Sequence, residues 1–96
     1  MYIRAYASEV ASWNEDKAAA NVDKRGVDFA DAVAVLEDEM ALTMEDSEHE
    51  GRWLTLGMDA LGRILVVSYT WQEEEPRLIS ARPASRHQRK QYESKR

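Results

Sequence analysis

The chain contains no cysteine, which removes disulfides, thiolate zinc sites and cysteine nucleophiles together. That absence is compatible with a reducing cytosol, and a cytoplasmic location is expected. Long apolar runs are missing as well. The longest purely aliphatic stretch is Ile64-Leu65-Val66-Val67, far short of the ~20 residues a membrane-spanning helix needs. Arg4 lies near the start, but Glu9 breaks any hydrophobic region before Trp13, so no signal peptide is expected. No internal repeat is visible. Cations are missing from about one quarter of the chain: residues 28–50 hold nine acids and no Lys or Arg. Acids are almost missing from another part. From residue 77 onward seven basic residues face one acid, Glu93.

What is present bounds the class. Ninety-six residues with 44% apolar side chains make one folded domain over residues 1–96, with room for a single core and no deep cleft. Residues 1–8 and 93–96 are expected to be loose termini. The formal net charge of −5 argues against generic nucleic-acid affinity. A chain so polarised still carries a strong local field where its basic end lies. From charge alone a solvated tail helix is the favoured reading, because charge runs usually just keep a surface wet.

Residues 2–13 supply a candidate first strand, with Tyr2, Ile3, Tyr6, Val10 and Trp13 as its bulky members. Asn14 is a good N-cap, Glu15 and Asp16 suit a first turn, Lys24 and Arg25 a last turn, and Gly26 a C-terminal stop, so a helix is predicted over 15–25. Its small apolar face is Ala18 and Val22, while Lys17, Asn21 and Lys24 form a polar stripe. Asp28 opens a second helix whose Phe29, Ala32, Val33 and Leu36 recur at core spacing. Met40–Met44 reads as a short strand, Arg52–Leu56 and Arg63–Trp71 as stronger ones, and Arg77–Arg82 as a fourth that stops at Pro83. Within it, alternation puts Ile79 and Ala81 on one side and Leu78, Ser80 and Arg82 on the other. Ser85 and Gln88 form a capping box for a last helix with almost no apolar face, anchored by Tyr92. The order strand–helix–helix–four strands–helix implies a small α+β domain with an antiparallel sheet.

The residues Trp13-Asn14-x-x-Lys17-Ala18-x-x-Asn21-x-x-Lys24-Arg25-Gly26-Val27-x-Phe29-x-x-Ala32 resemble the first signature of the BrnT toxins. Arg52-x-x-x-x-Gly57, then Ile79-Ser80-Ala81-Arg82-Pro83-Ala84 and a basic helix ending in Tyr92, resemble its two later signatures. The likeness runs from residue 13 to 92 in the right order. It implies a RelE-like fold and a ribonuclease that arrests translation. It also implies a neighbouring antitoxin, BrnA, which binds DNA through a ribbon-helix-helix-type segment and represses the operon as a complex. Two positions depart from the pattern. The family carries His where Arg25 stands, and Glu where Gln88 stands. A guanidinium stays protonated and cannot replace a proton-transferring imidazole, whereas a capping box accepts Gln as readily as Glu.

Cleavage through the 2′-hydroxyl needs cations fixed where charge grows on the phosphate. Arg52 and Arg82 sit at strand ends and are the candidates for that task, with Lys24 as base and Tyr92 or His87 as acid. Lys17, Asn21, Arg25, Arg63, Ser80, Arg86 and Arg89 are the candidate RNA contacts. Trp53, Tyr69 and Trp71 fit sheet packing better than base stacking. The acidic run Glu45–Glu50 has neither calcium-loop spacing nor a two-histidine zinc motif, so neither metal nor other cofactor is expected. The expected partners are RNA and a BrnA-like antitoxin in a hetero-oligomer, with no membrane. The rival reading is a toxin fold that has lost catalysis and only binds antitoxin or nucleic acid. A DNA-binding regulator is disfavoured by the net charge and the lack of a helix-turn-helix signal.

Overall fold

The computed structural model describes residues 10–94. Residues 2–9 of the expected first strand, the expected loose segment 1–8, and residues 95 and 96 lie outside the described part. Within it, Ser12 makes an isolated parallel bridge to Arg77. The helix α1 spans Glu15–Arg25, with the Asn14 side chain accepting from the Lys17 amide and Gly26 stopping it at φ 71°. That positive φ is the left-handed region in which glycine carries no Cβ penalty. The predicted helix and both its caps are therefore present.

After the Asp28 cap, α2 holds only Phe29–Ala32 before the chain tightens into a 3₁₀ turn over Val33–Glu37. Phe29, Ala32, Val33 and Val35 are buried there. The strands are β1 Leu42–Glu45, β2 Arg52–Met58, β3 Ile64–Gln72 and β4 Glu75–Pro83, and α3 spans Arg86–Glu93. The sheet is a meander in the order β1-β2-β3-β4 with every pair antiparallel. The described part is thus α+β, as predicted.

The core is in two parts, one on each sheet face. Leu65, Val67, Tyr69, Leu78 and Ala81 pack with Phe29, Val33 and Val35 on the side of α2. Leu56 and Val66 pack with Ala84 and Tyr92 on the side of α3, and Leu42, Leu54, Met58 and Ile64 border them. The β3–β4 register explains how β4 serves both. Ser68 pairs with Ser80, but Tyr69 pairs with Leu78, so Ile79 is an extra residue, a β-bulge. A bulge resets the alternation of side chains. Leu78 therefore joins Ala81 in the α2-side core instead of standing with Ser80 and Arg82 as simple alternation predicts, and Arg77 joins Ser80 and Arg82 on the opposite face.

The α1 helix meets the sheet through a polar residue. The expected apolar face does not do it, since Val22 remains 44% exposed. Asn21 is 6% exposed. Its Nδ2 donates to Val27 O and Ala81 O at 2.9 Å each, and its Oδ1 accepts from the Ala81 amide at 3.1 Å. Among the described residues β4 is the edge strand at Ala81, whose N–H and C=O no other strand takes up; a carboxamide is the side chain that matches both.

Candidate RNA-binding face and active site

The face of the sheet that α3 covers is only half closed. Leu42, Leu54, Leu56 and Val66 lie beneath α3 near Gln88 and Gln91. At the other end, towards the β3–β4 hairpin, Arg52 pairs with Thr70 and Thr70 pairs with Arg77 across three strands. Paired residues share a face, so these three side chains stand together. They line a recess of about 310 Å³ with Lys17, Asn14 and Gln72. Among the described residues no carboxylate belongs to its lining, and neither Lys17, Arg52 nor Arg77 makes an ion pair. Arg77 Nη1 donates to Ser12 Oγ at 3.3 Å.

Arg82 is on the same face, at its other end. It pairs with Val66, which pairs with Leu56. Arg82 thus lies four β3 residues and two strands from Arg52, roughly 13 Å along the strands and ~10 Å across them. Its Nη1 donates to Pro83 O and to Gln88 Oε1, both at 3.2 Å. Gln88 Oε1 also accepts from the Ser85 amide at 2.9 Å, and Ser85 Oγ accepts from the Gln88 amide at 3.1 Å. The predicted capping box is therefore present, and its Gln88 turns the Arg82 guanidinium towards α3.

Asn21 sits beside Ala81, and Lys17 lines the recess with Leu78 and Ile79, so α1 runs alongside β4 in the same direction. Lys24 is on the Lys17 stripe and falls near the Arg82 end, exposed, as are Arg25, Arg86 and Arg89. Ser80 is half-buried between the two ends.

Three expected site residues have other tasks. Asn21 closes the sheet edge, so its amide is not presented to RNA. Arg63 is neutralised: its Nη2 lies 2.7 Å and its Nε 2.9 Å from Oδ2 of buried Asp59, and Nη1 donates to Gly26 O at 3.2 Å. Asp59 Oδ1 accepts from the Leu61 and Arg63 amides, so this pair shapes the β2–β3 loop. Tyr92 is 2% exposed, and its hydroxyl donates to Asp38 Oδ2 at 2.6 Å. It anchors α3 to the opposite sheet layer and does not reach the recess. The residue that strand alternation missed is Arg77; only the bulge at Ile79 reveals it.

Other polar groups are accounted for elsewhere. His49 Nδ1 lies 3.0 Å from Asp46 Oδ2 in the β1–β2 loop. The Glu48 amide hydrogen bond, with smaller help from His49 and Arg52, holds the Asp46 carboxyl below its ordinary value against the opposing effect of burial. Trp53, Tyr69 and Trp71 occupy the α2-side face by register, away from the recess, with Tyr69 and Trp71 edge-to-face at 6.0 Å. Among the described residues, no three His, Asp or Glu side chains gather in a metal-sized cluster, and no helix is long and apolar enough to cross a membrane.

This arrangement has known relatives. The family described as "Ribonuclease toxin, BrnT, of type II toxin-antitoxin system" matches residues 13–88. The crystal structure of the Brucella abortus ribonuclease toxin BrnT, at 1.1 Å resolution, matches with a TM-score of 0.66 at 28% identity, over 79% of this chain and 96% of the Brucella chain. No curated protein matches in sequence. The chain belongs to the BrnT family of ribonuclease toxins of type II toxin–antitoxin systems.

Proposed function

We propose that the chain is an endoribonuclease of RelE-like fold that cuts RNA without a metal, on the half-open sheet face, and so stops translation. A BrnA-like, DNA-binding antitoxin silences it by covering the basic side. The observation that carries this reading is the set of cations from α1, β2 and β4 that share one face, with no carboxylate among the described residues lining its recess.

The reaction is transesterification. A base takes the proton from the 2′-hydroxyl, the 2′-oxygen forms a bond to phosphorus, and the bond from phosphorus to the 5′-oxygen breaks. An acid protonates the departing oxygen, leaving a 2′,3′-cyclic phosphate and a 5′-hydroxyl. Charge accumulates on the non-bridging oxygens, and a guanidinium held at a strand end stabilises it without reorganising. Arg82 takes that role. Lys24, on the neighbouring α1 stripe, is the base candidate, and His87, exposed on the first turn of α3, is the acid candidate now that Tyr92 is tied to Asp38. Arg52 binds RNA with Lys17, while Ser80, Arg25, Arg86 and Arg89 border the path. Expressed alone in a bacterium, the chain should arrest growth and fragment RNA, with cyclic-phosphate ends. Arg82→Ala should lower the cleavage rate by roughly 100-fold or more and release growth.

A second reading has its own support. Arg25 replaces the imidazole of the family signature, and His49 is bound to Asp46 in the β1–β2 loop. The chain is then a binding module that keeps RNA and antitoxin contacts without cleavage. Growth that is indifferent to the wild-type chain, with intact RNA, decides for the module.

A further inference from the structure

We propose that Lys17, Arg52 and Arg77 form a phosphate-binding subsite separate from Arg82. It holds single-stranded RNA at a phosphodiester other than the one cut, so the strand lies lengthwise along β4. The inference rests on the nuclease reading and extends it from where RNA is cut to how it is held.

Three observations carry it. The first is charge. Three cations converge on one recess whose described lining has no carboxylate, and none of them is ion-paired among the described residues, Asp46 in the β1–β2 loop feeling the Arg52 charge only at longer range. Like charges gathered in a partly desolvated hollow repel, and an anion completes the arrangement. The recess of about 310 Å³ equals ten waters at roughly 30 Å³ each, enough for a phosphodiester with part of its sugar. Asn14, Thr70 and Gln72 add neutral polar atoms suited to sugar hydroxyls.

The second is the bulge. Without Ile79 as an extra residue, Arg77 would point into the α2-side core beside Leu78's neighbours. The bulge moves it onto the cationic face, and bulges that re-aim a side chain are a recurrent device at functional sites. The third is separation. Arg52 and Arg82 are roughly 16 Å apart at Cα by strand geometry. Their neighbours turn them further apart, because Arg82 is bound to Pro83 O and Gln88 while Arg77 leans to Ser12 at the sheet edge. One phosphate cannot lie against both groups in these positions. Two phosphates of one extended strand can.

The test uses the full chain and a labelled hexadeoxynucleotide, which lacks the 2′-hydroxyl and is bound without being cut. Binding is read by fluorescence anisotropy across a salt series. Arg77→Gln should weaken binding several-fold and reduce the log–log salt slope by up to ~0.7, the single-strand value for one phosphate contact. Arg77→Lys should restore the slope, which a merely structural role would not. Arg77→Gln and Arg82→Gln together should multiply their separate losses. On a cleavable hexaribonucleotide, Arg77→Gln should raise KM and leave kcat, while Arg82→Gln lowers kcat. Lys17→Gln, on the exposed side of α1, gives the same readout if Arg77→Gln does not fold. Wild-type affinity and slope in the Arg77 and Lys17 variants overturn the subsite, as does a double variant no weaker than its weaker parent. Oligonucleotide held through Arg77 with RNA never cut overturns the nuclease reading and leaves the subsite standing. Cleavage with a silent Arg77→Gln does the reverse.

Discussion

At the scale of single residues, a polar side chain in this chain is defined by what it must satisfy. Asn21 shows the point. Its carboxamide has two donors and one acceptor engaged with backbone groups of Val27 and Ala81, and Ala81 is fully buried. Asn21→Ala leaves those groups without partners and should cost about 2–3 kcal/mol, from roughly 1–3 kcal/mol per buried group left unpaired. Asn21→Asp is the sharper test. A carboxylate still accepts from the Ala81 amide but faces two carbonyl oxygens, and burial raises its folded pKa. Its penalty is therefore present above that raised pKa and eases as pH falls and the group takes up a proton to donate. Melting of Asn21→Asp should improve from neutral to mildly acidic pH relative to wild type; a flat difference would show that the amide does not hold the edge strand. Sequence spacing placed Asn21 with Lys17 and Lys24 correctly, but spacing does not say which member of a stripe meets an unpaired strand edge. For the same reason Tyr92 was legible as the anchor of α3, and its Asp38 partner, distant in sequence, was not. Gly57 is another such contact: a Cβ there would meet Asp38 Oδ2 at 3.1 Å and Val35 Cγ1 at 3.2 Å.

At the scale of elements, local signals wrote most of the fold. The Asn14 and Ser85 caps and the Gly26 stop are chemical requirements of adjacent residues, so α1 and α3 could be bounded before any tertiary contact was known. The 3₁₀ turn after Ala32 and the bulge at Ile79 have no such local code. Leu78 and Ile79 are both apolar, and either could face the core, so register is decided by the pairing with β3. The β3–β4 hairpin is a case where sequence and geometry disagree. Its two loop residues, Glu73 and Glu74, have φ of 49° and 72°, the left-handed pair of a tight hairpin that favours Asn-Gly. Each non-glycine residue there costs about 1–2 kcal/mol. Glu73→Asn with Glu74→Gly should therefore stabilise the chain by about 1–2 kcal/mol, a rise in Tm of roughly 4–8 °C per kcal/mol for a domain of this size. Glu73→Gln with Glu74→Gln removes the charge but keeps the strain, and should recover little of that gain. Equal melting of the two double variants would show that repulsion among Glu73, Glu74 and Glu75, not backbone geometry, sets the hairpin's energy.

At the scale of the molecule, the uneven charge of the sequence becomes a division across the sheet. The acid-only segment 28–50 starts in α2, packed against β4, and runs through the 3₁₀ turn to β1 and the loop after it at the far edge, whereas β4 and α1 hold cations at the near one. Those edges are three strand spacings apart, roughly 14 Å. A net charge of −5 hides this division, which is why bulk composition argued against nucleic acid while the order of charges along the chain left room for a local basic face. The two candidate arginines, Arg52 and Arg82, were legible from strand ends, but their separation was not, since it depends on sheet order and on which way Gln88 turns Arg82. A field of this shape acts mainly on encounter. Arg86 and Arg89 are exposed on α3 and contribute to it without packing in the core. If the antitoxin approaches the basic side, reversing both charges (Arg86→Glu with Arg89→Glu) should slow its association and flatten the dependence of the on-rate on ionic strength, while dissociation changes little. Stopped-flow mixing with the antitoxin at several salt concentrations separates the outcomes. A large rise in the off-rate would put α3 inside the buried interface instead of at its rim, and unchanged rates in both directions would place the antitoxin on another side of the molecule.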